Sequence, residues 1–273
     1  MTAMTGPLIS ADELRAVLAD VTVLDVRYRT GAPAGPEAFA EGHVPGAAYV
    51  DMDTDLAAPP GDGGRHPLPE SADFVAAMRR AGVSNTRPVI VYDDWSGHAA
   101  GRAWWLLRHH GHPDVRVLDG AWPAWRAAGG EVETDVPAIE PGDFAGGGSR
   151  AGLVDSDDVL YVGVLVDARA AERYRGETEP IDPVAGHIPG AVNVPTSRNL
   201  TDDGRFRSPD ELRAIYAEVG AVPGADVAAY CGSGVTATHD LLAMEVAGIA
   251  ARLYPGSWSG WITDPSRPVA TGA

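Results

Sequence analysis

Short apolar runs alternate along the chain with stretches whose apolar positions recur at helical spacing, the pattern of a sheet with helices packed on its faces. Ser10-Ala11-Asp12-Glu13 matches a capping box: Ser10 caps a helix start, Glu13 reaches back to it, and Leu14, Val17 and Leu18 supply the apolar face of a helix about two turns long. Val21 to Val26 reads as a short buried strand, and Glu41 to Ala47 as a turn into another. Past the Pro- and Gly-rich stretch Pro59 to Pro69, the pattern predicts a helix over Ala72 to Ala81 and a strand over Val89 to Tyr92. A helix through Trp104, Trp105 and Leu107 follows, then a strand over Val115 to Leu118 and an amphipathic turn with Trp125.

The same signals recur in the same order, which marks an internal repeat. Val23-Leu24-Asp25-Val26-Arg27 returns as Leu165-Val166-Asp167-Ala168-Arg169, Gly42-His43-Val44-Pro45-Gly46-Ala47 as Gly186-His187-Ile188-Pro189-Gly190-Ala191, and Gly120-Ala121-Trp122 with Trp125 as Gly256-Ser257-Trp258 with Trp261. Ser208-Pro209-Asp210-Glu211 is a second capping box, with Pro at the first helical position. Thr134 to Gly152 is rich in Pro, Gly and small residues and holds the boundary. The expected organisation is an N-terminal domain over residues 1–138, a linker over 139–151 and a C-terminal domain over 152–273. Each domain is of the α/β class, a small, mainly parallel sheet flanked by helices.

Cys231, the only cysteine, follows the apolar run Val227 to Tyr230 and precedes a helical segment from Thr238 to Ala247. A thiol between a strand and a helix start has loop and helix N–H groups aimed at it, which favours the thiolate and holds an anion that the sulfur attacks or carries. Gly232 and Gly234 allow the backbone angles of such a cradle. In the first copy Asp93 stands at the place of Cys231, after Val89 to Tyr92, so one copy alone carries the nucleophile.

The chain has 273 residues, 45% of them hydrophobic, enough for full cores, and the length favours two domains. A formal charge of −17 argues against nucleic acid or an anionic membrane surface as partner, because such binding needs clustered Lys and Arg. A small anionic substrate then needs a locally positive pocket. With one cysteine no internal disulfide forms, and neither a basic-then-apolar leader nor a run of 18 apolar residues occurs. A soluble cytoplasmic protein is expected.

The motifs together resemble the tandem-domain rhodanese family of sulfurtransferases over nearly the whole chain. The loop Cys231-Gly232-Ser233-Gly234-Val235-Thr236 is closer to the 3-mercaptopyruvate branch than to the thiosulfate branch, whose loop usually carries basic residues after the cysteine. The resemblance implies two tandem rhodanese-like domains, the first lending a wall to the active site of the second. Cys231 is then the sulfur-accepting nucleophile, and Gly232, Ser233, Gly234, Val235 and Thr236 supply the amide cradle. It further implies a Ser–His–Asp relay of Ser233, His66 and Asp53, and a substrate-carboxylate grip by Arg173, whose planar guanidinium offers parallel donors. Where mercaptopyruvate enzymes commonly carry a second arginine in a Glu-Pro-Arg-Asp context, this chain reads Glu179-Pro180-Ile181-Asp182. Loss of one clamp is worth about 1–3 kcal/mol of α-keto-acid binding. The donor is thus 3-mercaptopyruvate or thiosulfate, and the acceptor cyanide or a thiol, such as thioredoxin or a small thiol. The covalent, ping-pong chemistry calls for no metal or organic cofactor.

Two other readings compete. A cysteine phosphatase normally needs Arg six residues after the Cys, where this chain has Ala237. A non-catalytic persulfide carrier or thiol sensor would bind a partner protein through the loop without turnover. His43 and His187 recur in both copies and are expected to hold the fold, as are the Asp25/Arg27 and Asp167/Arg169 pairs and the repeated tryptophans. His109, His110 and His112 lack a matching carboxylate or thiol spacing for a metal.

Overall fold

The computed structural model describes residues 6–28, 34–148 and 152–273. Residues 149–151 of the expected linker and the first five residues of the chain lie outside the described residues. The chain forms two compact units, one of Met1–Ala58, Pro69–Ala151 and Asp202–Arg205, the other of Pro59–Leu68, Gly152–Thr201 and Phe206–Ala273.

The first unit is an all-parallel sheet in the order β1-β5-β4-β2-β3, from β1 (Leu8–Ile9), β2 (Thr22–Asp25), β3 (Ala48–Tyr49), β4 (Val89–Tyr92) and β5 (Val115–Leu118). β4 and β5 are buried at every residue, as expected of strands covered on both faces; the one charged residue among them, Arg116, pairs with Asp114 at 2.9 Å. Between the strands run α1 (Ala11–Val17), α2 (Gly35–Glu41), α3 (Ser71–Arg80) and α4 (Ala100–His109), and α5 (Ala121–Ala127) follows β5. Both bonds of the Ser10/Glu13 capping box are present at α1. α2 and β1 carry too few residues for a periodicity to be read from sequence.

The second unit repeats the plan with a parallel sheet in the order β7-β6-β8-β9. Its strands are β6 (Val164–Asp167), β7 (Val192–Asn193), β8 (Val227–Tyr230) and β9 (Arg252–Leu253). A parallel bridge from Leu153 to Leu253 stands where β1 pairs β5 in the first. Its helices are α6 (Ala171–Tyr174), α7 (Pro209–Ala217), α8 (Ala237–Val246) and α9 (Ser257–Trp261).

The repeated motifs meet in each core. Arg27 pairs with Asp25 at 2.9 Å and donates to Gly42 O at 2.6 Å; Arg169 pairs with Asp167 at 2.6 Å and donates to Gly186 O at 2.6 Å. Each guanidinium lies over the tryptophan of the Gly-x-Trp segment, 4.6 Å from the Trp122 centroid and 4.8 Å from that of Trp258. The phenols of Tyr92 and Tyr230 accept from the N–H of Val44 and Ile188, so the strand before each loop is tied to the Gly-His turn. His43 and His187 bond the carbonyls of Phe39 and Tyr174 and stack on those rings, which is a structural use of both.

α8 itself carries a buried polar group that the periodicity hides. Asp240 is wholly buried, accepts from Asn199 Nδ2 at 2.7 Å and is pushed well above the ordinary carboxyl range by burial. A carboxyl raised in the folded state binds a proton that the unfolded chain has released, so its effect on stability is most favourable below the unfolded value and declines as pH rises toward the folded one. Asp240→Asn cannot titrate. Thermal melts from pH 5 to 8 should show the melting temperature of the wild type falling relative to the variant as pH rises; parallel curves would refute this.

Candidate active site

β8 ends at Tyr230 and delivers Cys231 into the loop before α8. The thiol residue is 1% exposed. Its N–H donates to Ser257 Oγ at 3.1 Å, its carbonyl accepts from Trp258 N–H at 2.9 Å, and Gly232 O accepts from Ser259 N–H at 2.9 Å. The start of α9 therefore props the loop from below. Ser257 takes a left-handed φ of +52°, and Ala121, its counterpart at α5, one of +57°. Such a backbone is uncommon for non-glycine residues and costs about 1–2 kcal/mol, a strain kept at the same place in both copies.

The segment Pro59–Leu68, part of this second unit, rests on α9. Gly64 makes that approach possible: its φ is +99°, and a Cβ there would lie 2.7 Å from Ser259 Oγ and 2.9 Å from Gly256 O. Arg65 N–H donates to Ser259 Oγ at 3.1 Å. The next residue, His66, places Nδ1 2.8 Å from the oxygen of Ser233, which is 8% exposed. Two of the three residues expected in the relay are thus in hydrogen-bond contact, two positions past the thiol. Asp53 belongs to the first unit, where it is exposed in the turn after β3, its N–H donating to Asp51 Oδ1 at 2.9 Å.

Arg173, on α6, is engaged by acids. Glu179 takes its Nε and Nη2 at 3.1 and 2.6 Å, and Asp182 Oδ2 lies 3.3 Å from Nη2. Burial works against the charge on Glu179, yet the bonds from Arg173 and from the N–H groups of Asp182 and Ile181 hold its carboxyl below the usual range. Asp182 goes the other way: burial pushes it up against the pull of Arg65, whose Nη1 it binds. A Cβ at Gly232 would lie 2.8 Å from Arg65 Nη2 and 3.6 Å from both Nη atoms of Arg173. Both guanidinium groups therefore face the residue next to the thiol. Arg65 carries no signal of its own in the sequence, although it adjoins His66, and neither do the seryl props of α9.

The first copy shows what such a loop holds. Trp122 N–H donates to Asp93 O at 2.8 Å, the counterpart of the Trp258 bond to Cys231. The Asp93 carboxylate accepts four backbone N–H bonds: Trp95 and Gly97 on Oδ1 at 2.9 Å each, Ala99 and Ala100 on Oδ2 at 2.8 and 2.9 Å. A loop of this sequence position closes around an anion at its first residue. An aspartate carries its oxygens two bonds beyond Cβ, as a cysteine persulfide carries its outer sulfur.

Of the histidine trio after α4, His109 and His110 stack on Trp105 and Phe74. His112 uses both ring nitrogens on backbone groups of Ser84 and Asp114. Among the described residues no group of three or more His, Cys, Asp or Glu is placed to hold a metal ion, and no helix is long and apolar enough to cross a membrane.

Comparison with known proteins bears on the family and the fold. Residues 10–128 and 151–264 each match the model of the rhodanese-like domain. The chain is similar to a Mycobacterium tuberculosis protein provisionally named a thiosulfate sulfurtransferase, with 44% identity over 100% of this chain and 99% of the relative. It is also similar to a Pseudomonas aeruginosa protein named a probable 3-mercaptopyruvate sulfurtransferase, with 45% identity over 98% and 99%. The crystal structure of the 3-mercaptopyruvate sulfurtransferase SseA from Escherichia coli superposes with a TM-score of 0.80 at 31% identity, over 93% of this chain and 100% of that one.

Asp93→Ala leaves four loop N–H groups without their acceptor, and urea unfolding should show a loss of about 1–3 kcal/mol. A variant as stable as the wild type would mean that the carboxylate does not organise this loop.

Proposed function

The chain belongs to the rhodanese-like family and is a two-domain sulfurtransferase, and from that premise we propose that its donor is 3-mercaptopyruvate and its sulfur carrier Cys231. The observation that carries the choice of donor is the 2.8 Å contact between His66 Nδ1 and Ser233 Oγ beside the only thiol of the chain. The Cys231 thiolate attacks the donor's sulfur, a sulfur–sulfur bond forms, and the carbon–sulfur bond breaks with its electron pair passing to carbon as the enolate of pyruvate. That carbon must gain a proton, and the proton on the donor's thiol must leave; in this reading Ser233 and His66 carry it from one to the other, which their mutual contact supports. Asp53 takes the third place in the relay on its motif position alone. An acceptor thiol, thioredoxin or a small thiol, then attacks the outer sulfur and releases Cys231 as thiolate. With thiosulfate the leaving group is sulfite, which needs no proton on carbon.

The cradle of Gly232, Ser233, Gly234, Val235 and Thr236 stabilises the persulfide anion in this reading, supported by the amide-held carboxylate of Asp93 in the nucleophile-free first domain. We place the reaction in the cytoplasm, where a chain with a single cysteine has no need of disulfides.

The test is a comparison of kcat/KM for 3-mercaptopyruvate and thiosulfate in the wild type, Cys231→Ala, Ser233→Ala and His66→Ala. Cys231→Ala should abolish turnover of both. Ser233→Ala and His66→Ala should lower kcat for 3-mercaptopyruvate on the order of 100-fold and spare thiosulfate. Equal losses on both donors would remove the relay, and a wild type that takes up one sulfur without multiple turnover would point to a carrier.

A further inference from the structure

The second unit holds a cleft of about 420 Å³ that the proposed reaction does not use, a size within the range of small-molecule sites. Gly63, on the segment that carries His66, forms part of its wall, as do Gly256 and Gly260, which precede α9 and lie within it. The segment that brings His66 to Ser233 and the helix that props the Cys231 loop therefore both line this cleft.

Its charges are of both signs and are not spent on one another. Asp62, Asp158, Arg252 and Arg267 all line the cleft, yet the arginines pair outside it, Arg252 with Asp226 at 2.5 Å through Nη2 and Arg267 with Asp264 at 3.7 Å through Nε. Nη1 of Arg267 donates to the carbonyls of Gly260 and Trp261 at 3.0 and 3.4 Å, which leaves Nη2 without an acceptor among the described residues. The carboxylates of Asp62 and Asp158 likewise accept no hydrogen bond among the described residues. Tyr254 feels both signs: burial pushes its phenol up to about 12, Arg267 pulls it down and Asp155 adds to the rise. A dissolved cation would answer only the acids and an inorganic anion only the guanidinium groups. A zwitterion answers both.

We propose that this cleft binds a free α-amino acid, its ammonium held by Asp62 and Asp158, its carboxylate by Arg252 and Arg267, and its side chain by Tyr254 and Leu153, and that occupancy is felt at Cys231 through the shared walls. The inference does not depend on which donor the thiol takes.

The probe is L-leucine, measured by isothermal titration calorimetry beside N-acetyl-L-leucine, which lacks the ammonium, and L-leucinamide, which lacks the carboxylate. Leucine should bind at millimolar concentrations or below, and each analogue should bind about tenfold more weakly or worse. Asp62→Asn and Asp158→Asn, both at exposed positions, should weaken leucine by a similar factor. No heat at millimolar leucine, or equal binding of leucine and either analogue, would overturn the site. Coupling is read without sulfur transfer, from alkylation of Cys231 by iodoacetamide, in which a carbon–sulfur bond forms with loss of iodide. Saturating leucine should change that rate on the order of fivefold in the wild type and leave it unchanged in Asp158→Asn at the same concentration. A wild-type rate indifferent to bound leucine would overturn the coupling.

Discussion

The buried pair of Asp167 and Arg169 is the interaction on which the second unit turns. It sits at the end of β6, reaches the Gly-His turn through Gly186 O and packs on Trp258, whose N–H supports the carbonyl of Cys231. Removing one partner of a buried pair costs about 3–5 kcal/mol because the other charge is stranded. The first unit keeps the same construction with Asp25, Arg27, Gly42 and Trp122. The motifs that recur in the sequence recur because they are one network seen at separate points along the chain.

From that pair the charges continue outward in alternation. Arg169 also meets Glu179 at 3.3 Å, Glu179 holds Arg173, Arg173 meets Asp182, and Asp182 holds Arg65. Core and site are thus parts of one chain of ion pairs, buried at the Asp167 end and more exposed at Arg65, whose side chain is 30% accessible. On a molecule with a formal charge of −17, the arginines next to the thiol are held in place by acids rather than left to repel one another.

Much of this was legible from residue order. The strands at 89–92, 115–118 and 227–230 fall where the apolar runs end, and both capping boxes form as Ser10/Glu13 and Ser208/Glu211 dictate, because these signals are local. The Ser233 and His66 contact was expected from a family motif. What stayed hidden is what depends on distance along the chain or on loss of water. Nothing local marks Arg65 as a neighbour of Asp182, and Asp240 stands in a helix whose eight leading residues are all buried, so no polar face distinguishes it. Ile181 reads as the absence of a cation at one sequence position, and the arrival of Arg65 from another segment has no signature in spacing.

The loop around Asp93 has a consequence for what the first domain can bind. Its anion is covalently part of the chain, so its effective concentration at the four N–H groups is fixed by tether length and is far above that of any dissolved ion. Sulfate, phosphate or thiosulfate cannot compete for that cradle by mass action. The two domains are therefore folds of one design, of which the first carries its own permanent ligand and the second a free thiol at the corresponding position.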